Sequence, residues 1–258
     1  MQGKRIHLLG SPLDLLTMAE TLLQIEKLIL NQKPSQHVVI NASKINLMAE
    51  NEELQAIIEE SPLVNADGQS IVWAARFLGY PVPERVTGID LFESLVTRAA
   101  EKGWRVYYFG AAEGIVQTVV EKHQMEYPDL VIAGYRNGYF EEDESNQIAQ
   151  QIRESQADIL FVAFSSPKKE FWIHAHKEEM QVPFVMGVGG SFDVIAGKTK
   201  RAPKWMQKTG LEWFYRFIQE PRRMFKRYLI GNFRFLTLVF REKRKQRGAI
   251  QKGEKNSK

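Results

Sequence analysis

Apolar and polar positions follow two rhythms along this chain. Nearly unbroken apolar runs of strand length fall at 5–9, 37–41, 63–67, 105–110, 130–133, 157–164 and 183–188. Between them, apolar residues recur at helical spacing, as at Leu15, Met18, Leu22, Ile25 and Ile29. This spacing predicts helices at 14–31, 42–48, 52–60, 69–78, 90–102, 145–155 and on to about 180 after the turn at 165–170. A further helix follows the 110–114 turn to about 123. Asp14 is the expected N-cap of the first helix, and the glycine-bearing segment 134–140 follows the 130–133 strand. Strands that alternate with helices, and that are apolar throughout, predict an α/β protein. Its sheet is mainly parallel, with helices on both faces.

From about residue 200 the rhythm changes. Arg201-Ala202-Pro203 opens an aromatic-rich helix carrying Trp205, Leu211, Trp213, Phe214 and Phe217, which Pro221 should end. Beyond Pro221, at about 100° per residue, Arg223, Arg227, Arg234 and Arg241 fall within about 40° of one another, opposite Phe225, Leu229, Phe233, Leu236 and Phe240. An amphipathic basic helix of this kind lies on an anionic membrane or packs on a partner. Gly231-Asn232 can split it, and 242–258 reads as a solvated, disordered tail. The expected division is a body at 1–195 and a basic helical appendage at 196–258.

Composition sharpens that division. The 258 residues are 44% apolar, enough for one large α/β domain with an appendage or for two small domains. The net charge of +4 hides an asymmetry: residues 1–195 carry 16 basic and 27 acidic side chains, whereas 196–258 carry 19 and 4. An acidic body with a strongly basic tail points to a polyanionic partner such as anionic lipid, pyrophosphate or nucleic acid. Without cysteine there is no disulfide and no thiolate metal site. No secretory signal and no membrane-spanning run is expected.

Candidate chemistry gathers where strands end. Asn41, Asp67-Gly68, Gly110, Gly138-Tyr139, Ser165 to Glu170 and Gly189-Gly190 to Asp193 each follow an apolar run, so a parallel sheet brings them to one edge. Asp67 is a general base or substrate ligand there, or a turn aspartate. The fork of Arg85 suits phosphate oxygens, or it pairs with Glu84. Glu170 can bond a ribose or sugar hydroxyl or cap its helix; Asp193 can do likewise or hold a turn. Arg201, Arg216, Arg222, Arg223 and Arg227 can meet a second pyrophosphate or lipid headgroups. No two histidines stand at metal-ligand spacing, and there is no Asp-x-Asp metal clamp and no P-loop. Any nucleotide-sugar chemistry would rely on arginines and helix dipoles to offset pyrophosphate charge.

Taken in order, several motifs resemble the WecG/TagA/CpsF family of bacterial glycosyltransferases. They are Asn41-Ala42, Asp67-Gly68-Gln69-Ser70, Arg85-Val86-Thr87-Gly88-Ile89-Asp90-Leu91, Gly138-Tyr139-Phe140, Pro167-Lys168-Lys169-Glu170, Gly189-Gly190-Ser191-Phe192-Asp193, Arg201-Ala202-Pro203, Gly210-Leu211-Glu212-Trp213 and Glu220-Pro221-Arg222. The resemblance spans about residues 5–240 in collinear order. It implies a Rossmann-like, metal-independent enzyme. Such an enzyme moves a sugar, foremost N-acetylmannosamine, from a UDP-sugar donor to an undecaprenyl-pyrophosphate-linked acceptor sugar, expected to be N-acetylglucosamine.

The resemblance also implies roles. Asp67 would be the general base and Arg85 would stand near the donor diphosphate, with Asn41 and Asp193 in the donor pocket. Gly68, Gly110, Gly138, Tyr139, Lys169, Glu170, Gly189 and Gly190 complete the expected substrate site. The appendage would bind the inner face of the cell membrane and close over the site, its arginines meeting the lipid pyrophosphate. A cytoplasmic, peripheral enzyme of surface-polysaccharide or teichoic acid synthesis follows, with a homo-oligomer as an option. Val39 and Lys169 depart from the threonine and glutamine common in the family, which leaves glucose or N-acetylmannosaminuronic acid as alternative donors. A Rossmann oxidoreductase is disfavoured by an incomplete glycine fingerprint, and nucleic-acid binding by the acidic body.

Overall fold

The computed structural model describes residues 4–219, 221, 225 and 231–256. A hairpin of β1 (Arg5–Leu8) and β2 (Ser11–Asp14) leads into α1 (Met18–Leu30) and β3 (Ser35–Ile40). Then come α2 (Ala42–Met48), α3 (Glu52–Glu59), β4 (Leu63–Ala66), α4 (Gln69–Phe77), α5 (Gly88–Lys102) and β5 (Arg105–Gly110). The body continues through α6 (Glu113–Glu126), β6 (Val131–Arg136), α7 (Ser145–Glu154), β7 (Ile159–Ala163), α8 (Lys168–Met180), β8 (Phe184–Gly187) and α9 (Ser191–Ile195). Beyond it lie α10 (Lys204–Thr209), α11 (Glu212–Gln219) and α12 (Gly231–Asn256).

Six strands form one sheet in the order β4-β3-β8-β7-β5-β6, with every pairing parallel. Alternate side chains enter two apolar layers. On one face Tyr108, Phe161 and Met186 pack under α1, α5, α6 and α9, with the Phe92 and Phe161 rings 4.4 Å apart. On the other, Val38, Ile40 and Val64 meet α2 and α4, while Leu160 and Val162 meet α7 and α8. Burial on both faces explains why the strands read as unbroken apolar runs rather than alternating ones. The parallel pairing places all six carboxyl ends along one edge. The expected α/β, Rossmann-like architecture is therefore present.

Several expectations change in detail. Asp14 ends β2 instead of capping α1, because its carboxylate is taken by Arg5 at 2.8 Å and by the Val64 N–H at 2.8 Å. Thr17 is the cap, in a reciprocal pair with Glu20. β6 runs past the expected end at Ala133 and through Arg136. Gly134 permits this, since a Cβ there would lie 2.6 Å from the Tyr107 ring. The aromatic helix after Pro203 is two helices, broken where Gly210 takes a left-handed φ of +77°. Finally, α12 runs through Asn256, where a disordered tail from 242 was expected; its Arg, Lys, Gln and Glu residues are good helix formers and no proline interrupts them.

The last helix lies on the body. Phe235 and Val239 are buried in the same apolar cluster as Val38 and Ile40, and the Asn46 amide donates to the Gly231 carbonyl at 2.7 Å. The apolar face expected from helical spacing is a different one. Phe233, Leu236 and Phe240 stay exposed, while Arg234 pairs with Glu50.

Candidate active site

The loop between β4 and α4 carries Asp67. Its Oδ1 accepts the Gly88 N–H at 2.8 Å, so the carboxylate is fixed at the first turn of α5, where helix amides favour a negative charge. Gly68 closes on the neighbouring strand end: a Cβ there would stand 3.2 Å from Asn41 Cβ. Asn41 caps α2, accepting the Lys44 N–H at 3.1 Å. Val39 approaches Gly88 from below, at 3.7 Å from where a Cβ would be. Asp67, Gly68, Asn41 and Val39 thus form one wall of a cleft.

A buried ionic cluster forms its floor. Lys44 Nζ donates to Glu170 Oε1 at 2.6 Å, and Lys169 Nζ approaches the same oxygen at 3.4 Å while donating to Ser166 Oγ at 2.8 Å. All three ionic side chains are almost wholly buried. Burial pushes the Lys169 ammonium down to about 8; the charge of Lys44 adds to this, whereas Glu170 and Asp67 oppose it. Burial alone would raise the Glu170 carboxyl, but Lys44 and Lys169 overcome it and hold the group below the usual carboxylate range. Two cations against one anion leave the floor with a net positive charge. Lys169 lies against β8 because residue 187 is glycine: a Cβ there would be 2.7 Å from its Cδ and Cε. Gly189, at φ +55°, lets the chain turn over the Lys169 amine. Gly190 has open space above it.

A second wall comes from the appendage. Gly210 packs on Gln69, next to Asp67-Gly68; a Cβ at 210 would be 2.6 Å from Gln69 Cγ. Arg85 does not pair with Glu84, which accepts the Met18 N–H instead. Its guanidinium donates to the Gln207 carbonyl at 3.2 Å and pairs with Glu212 at 3.1 Å. Arg201 faces the same centre, pairing with Asp90 at 2.7 Å, Glu212 at 3.5 Å and Glu93 at 3.7 Å. In this conformation Arg201 is therefore engaged with the body.

The remaining sites predicted from sequence are more dispersed. Gly110, at φ +125°, runs within 2.8–2.9 Å of the Ala163 backbone as measured from a would-be Cβ, and Gly138 packs against Gly110 and Phe164. These glycines bring β5, β6 and β7 together at the far end of the edge, with Tyr139 exposed on the rim. Asp193 pairs with Lys198 at 3.2 Å, and Arg216 lies on α11. Arg222, Arg223 and Arg227 lie outside the described residues. Among the described residues, no three His, Asp or Glu side chains converge on a point that could hold a metal ion.

Sequence reading missed Lys44 as part of this site, and it carried Ser166 and Gly88 only inside the Ser165 to Glu170 segment and the Arg85-to-Leu91 motif. Glu212 was visible only as a letter of the Gly-Leu-Glu-Trp motif. Lys44 follows the Asn41 cap, but nothing in α2 marks its amine as buried; the signal was Glu170, an acid on an inward helix face that requires a cation.

The model of the Glycosyl transferase WecG/TagA/CpsF family matches residues 6–249. The chain is 32% identical over 221 residues to an N-acetylglucosaminyldiphosphoundecaprenol N-acetyl-beta-D-mannosaminyltransferase of Bacillus spizizenii strain W23, covering 85% of this chain and 84% of that one. It is 36% identical over 190 residues to a protein of the same name from Bacillus subtilis strain 168, covering 74% and 73%.

Proposed function

The chain belongs to the WecG/TagA/CpsF family of glycosyltransferases, and on that premise we propose that it transfers N-acetylmannosamine from its UDP donor to N-acetylglucosamine carried on undecaprenyl pyrophosphate. The observation that carries this reading is a fixed carboxylate, Asp67, at the same strand-end edge as the buried Lys44–Glu170–Lys169 cluster, with the Arg85 and Arg201 pairs beside it. Asp67 is held by the Gly88 amide and its charge acts on Lys169, while Arg85 and Arg201 share Glu212.

The chemistry assigns each group a task. Asp67 takes the proton of the acceptor hydroxyl as its oxygen attacks the anomeric carbon. The bond from that carbon to the UDP oxygen breaks, and its electron pair leaves on the β-phosphate. Arg85 stabilises that charge, and the positive floor under Lys169 supplements it. Glu212 holds Arg85 and yields to the diphosphate, whose oxygens suit the same guanidinium fork. Asn41, Gly189 and Gly190 border the space for the donor.

The acceptor is membrane-bound, and the appendage from 196 onward supplies the contact. No helix among the described residues is long and apolar enough to cross a membrane. A peripheral association through the basic appendage suits the charge of that segment. The test is UDP release from UDP-N-acetylmannosamine with a short-chain polyprenyl-pyrophosphate-N-acetylglucosamine acceptor, with and without EDTA. Acceptor-dependent release is expected in both. No release by folded protein, with release from UDP-glucose or UDP-N-acetylmannosaminuronic acid instead, would overturn the donor assignment and implicate Val39 and Lys169.

A further inference from the structure

The body carries an exposed aromatic pair that the cleft chemistry does not use. On α4, Trp73 and Phe77 are 55% and 49% exposed, one helical turn apart on the same face. The other face of α4, with Ile71, Val72, Ala74 and Ala75, is in the core. Phe77 meets Phe240 of α12 edge to face at 5.8 Å, and Phe240 itself remains 57% exposed. Phe233 and Leu236 continue the same exposed line along α12, at 75% and 50%. Two helices, one from the body and one from the appendage, thus present one apolar strip. Such a strip on a protein surface marks a contact site.

Its charge surroundings identify the contact. Lys243 stands over the Phe77 ring at 5.4 Å. Residues 231–248 hold six Lys and Arg against one Glu, so the apolar strip is flanked by an excess of positive charge. Aromatic side chains bordered by lysine and arginine match the boundary of an anionic bilayer, where the rings enter the headgroup layer and the cations meet phosphates.

We propose that α4 of the catalytic body is itself a membrane-docking element, with Trp73 and Phe77 entering an anionic lipid surface beside Phe233, Leu236 and Phe240 of α12. The proposal extends the membrane-bound acceptor reading above and rests on it. It adds a consequence for the reaction. The residue that caps α4 is Gly68, directly after Asp67, so the helix that touches lipid is the one that begins at the base. Docking through α4 holds the cleft at a fixed height and angle to the bilayer, where a lipid-linked sugar arrives. An appendage that acted alone as a tether would not fix that angle.

The test compares the full chain with a Trp73→Ser/Phe77→Ser variant. Both side chains are exposed, so the variant should fold, which circular dichroism and thermal melting verify. Pelleting is measured with phosphatidylcholine vesicles with and without phosphatidylglycerol. UDP release is measured with the short-chain acceptor in solution and with an undecaprenyl-linked acceptor in vesicles. The expected result is a partition into anionic vesicles lower by about tenfold or more, with transfer to the soluble acceptor unchanged and transfer in vesicles reduced.

Pelleting equal to that of the wild type would overturn the proposal. So would a shift from dimer to monomer in the variant with vesicle binding intact, which would mean that the strip joins two copies of the chain. Loss of turnover with the soluble acceptor as well would assign the two residues to the cleft's structure and also overturn it. Wild-type protein that pels with anionic vesicles but releases no UDP from any donor would refute the proposed reaction while leaving the docking result to stand on its own.

Discussion

Replacing Asp67 by asparagine separates the proposed chemistry from the fold. In the native protein Asp67 Oδ1 accepts the Gly88 N–H at 2.8 Å. Asparagine keeps a carbonyl oxygen for that bond and loses only its charge. The structural cost is therefore the difference between a charged and a neutral acceptor, about 1 kcal/mol, which lowers the melting temperature of a chain this size by about 2–4 °C. The chemical cost is larger, because an amide cannot take the acceptor's proton. Loss of a positioned general base lowers turnover by about 10²–10⁴-fold, which corresponds to about 2.7–5.4 kcal/mol in the barrier. The assay is kcat from UDP release with the soluble acceptor, alongside UDP affinity by calorimetry. The reasoning requires kcat to collapse while UDP affinity and melting hold nearly constant. A folded Asp67→Asn protein that turns over within tenfold of wild type would refute the assignment of the base.

Other perturbations probe the floor of the cleft, the buried histidines and the Glu212 pair. Lys44→Met removes the cation 2.6 Å from a buried carboxylate and should cost about 3 kcal/mol in urea unfolding; a loss below about 1 kcal/mol would mean that Lys169 alone balances Glu170. Burial sets Lys169 near 8 in the folded chain against a usual 10.5, so between those values the unfolded chain binds more protons and stability should rise with pH. In Lys169→Gln that part of the rise should vanish, and an unchanged slope would refute it. His37 and His123 are held neutral, at about 4, chiefly by burial. Stability should be fullest above pH 6.5 and decline as the pH falls toward 4, and His123→Gln should soften that decline in acid titrations followed by circular dichroism. Glu212→Gln should release Arg85 from its 3.1 Å pair and tighten UDP binding by about two- to fivefold; unchanged affinity would show that Glu212 does not compete with the diphosphate.

The legible part of this protein was the part governed by local rhythm. Ile159 to Ala163 and Phe184 to Gly187 are apolar because a parallel sheet covered on both faces gives every side chain an apolar neighbour. That alone predicted the sheet, the shared carboxyl edge and the gathering of Asn41, Asp67 and Gly189 there. Boundaries were less legible where a distant partner decided them. Asp14 reads as a helix cap until Arg5 and Val64 claim its carboxylate, and Gly134 reads as lying past a strand end until the Tyr107 ring needs its missing side chain.

The sequence by itself determined the alternation of elements, the acidic body and basic appendage, and the strand-end residues from which a cleft could be built. Tertiary structure alone decided which charges meet. Lys44 and Glu170 are 126 residues apart, and Arg85 and Gln207 are 122 apart. Spacing along a chain carries information about neighbours within a few turns of a helix or a few positions of a strand. A pair joined across the sheet depends on the packing of every element between them, and that packing is where the positive floor and the Glu212 hold on Arg85 arise.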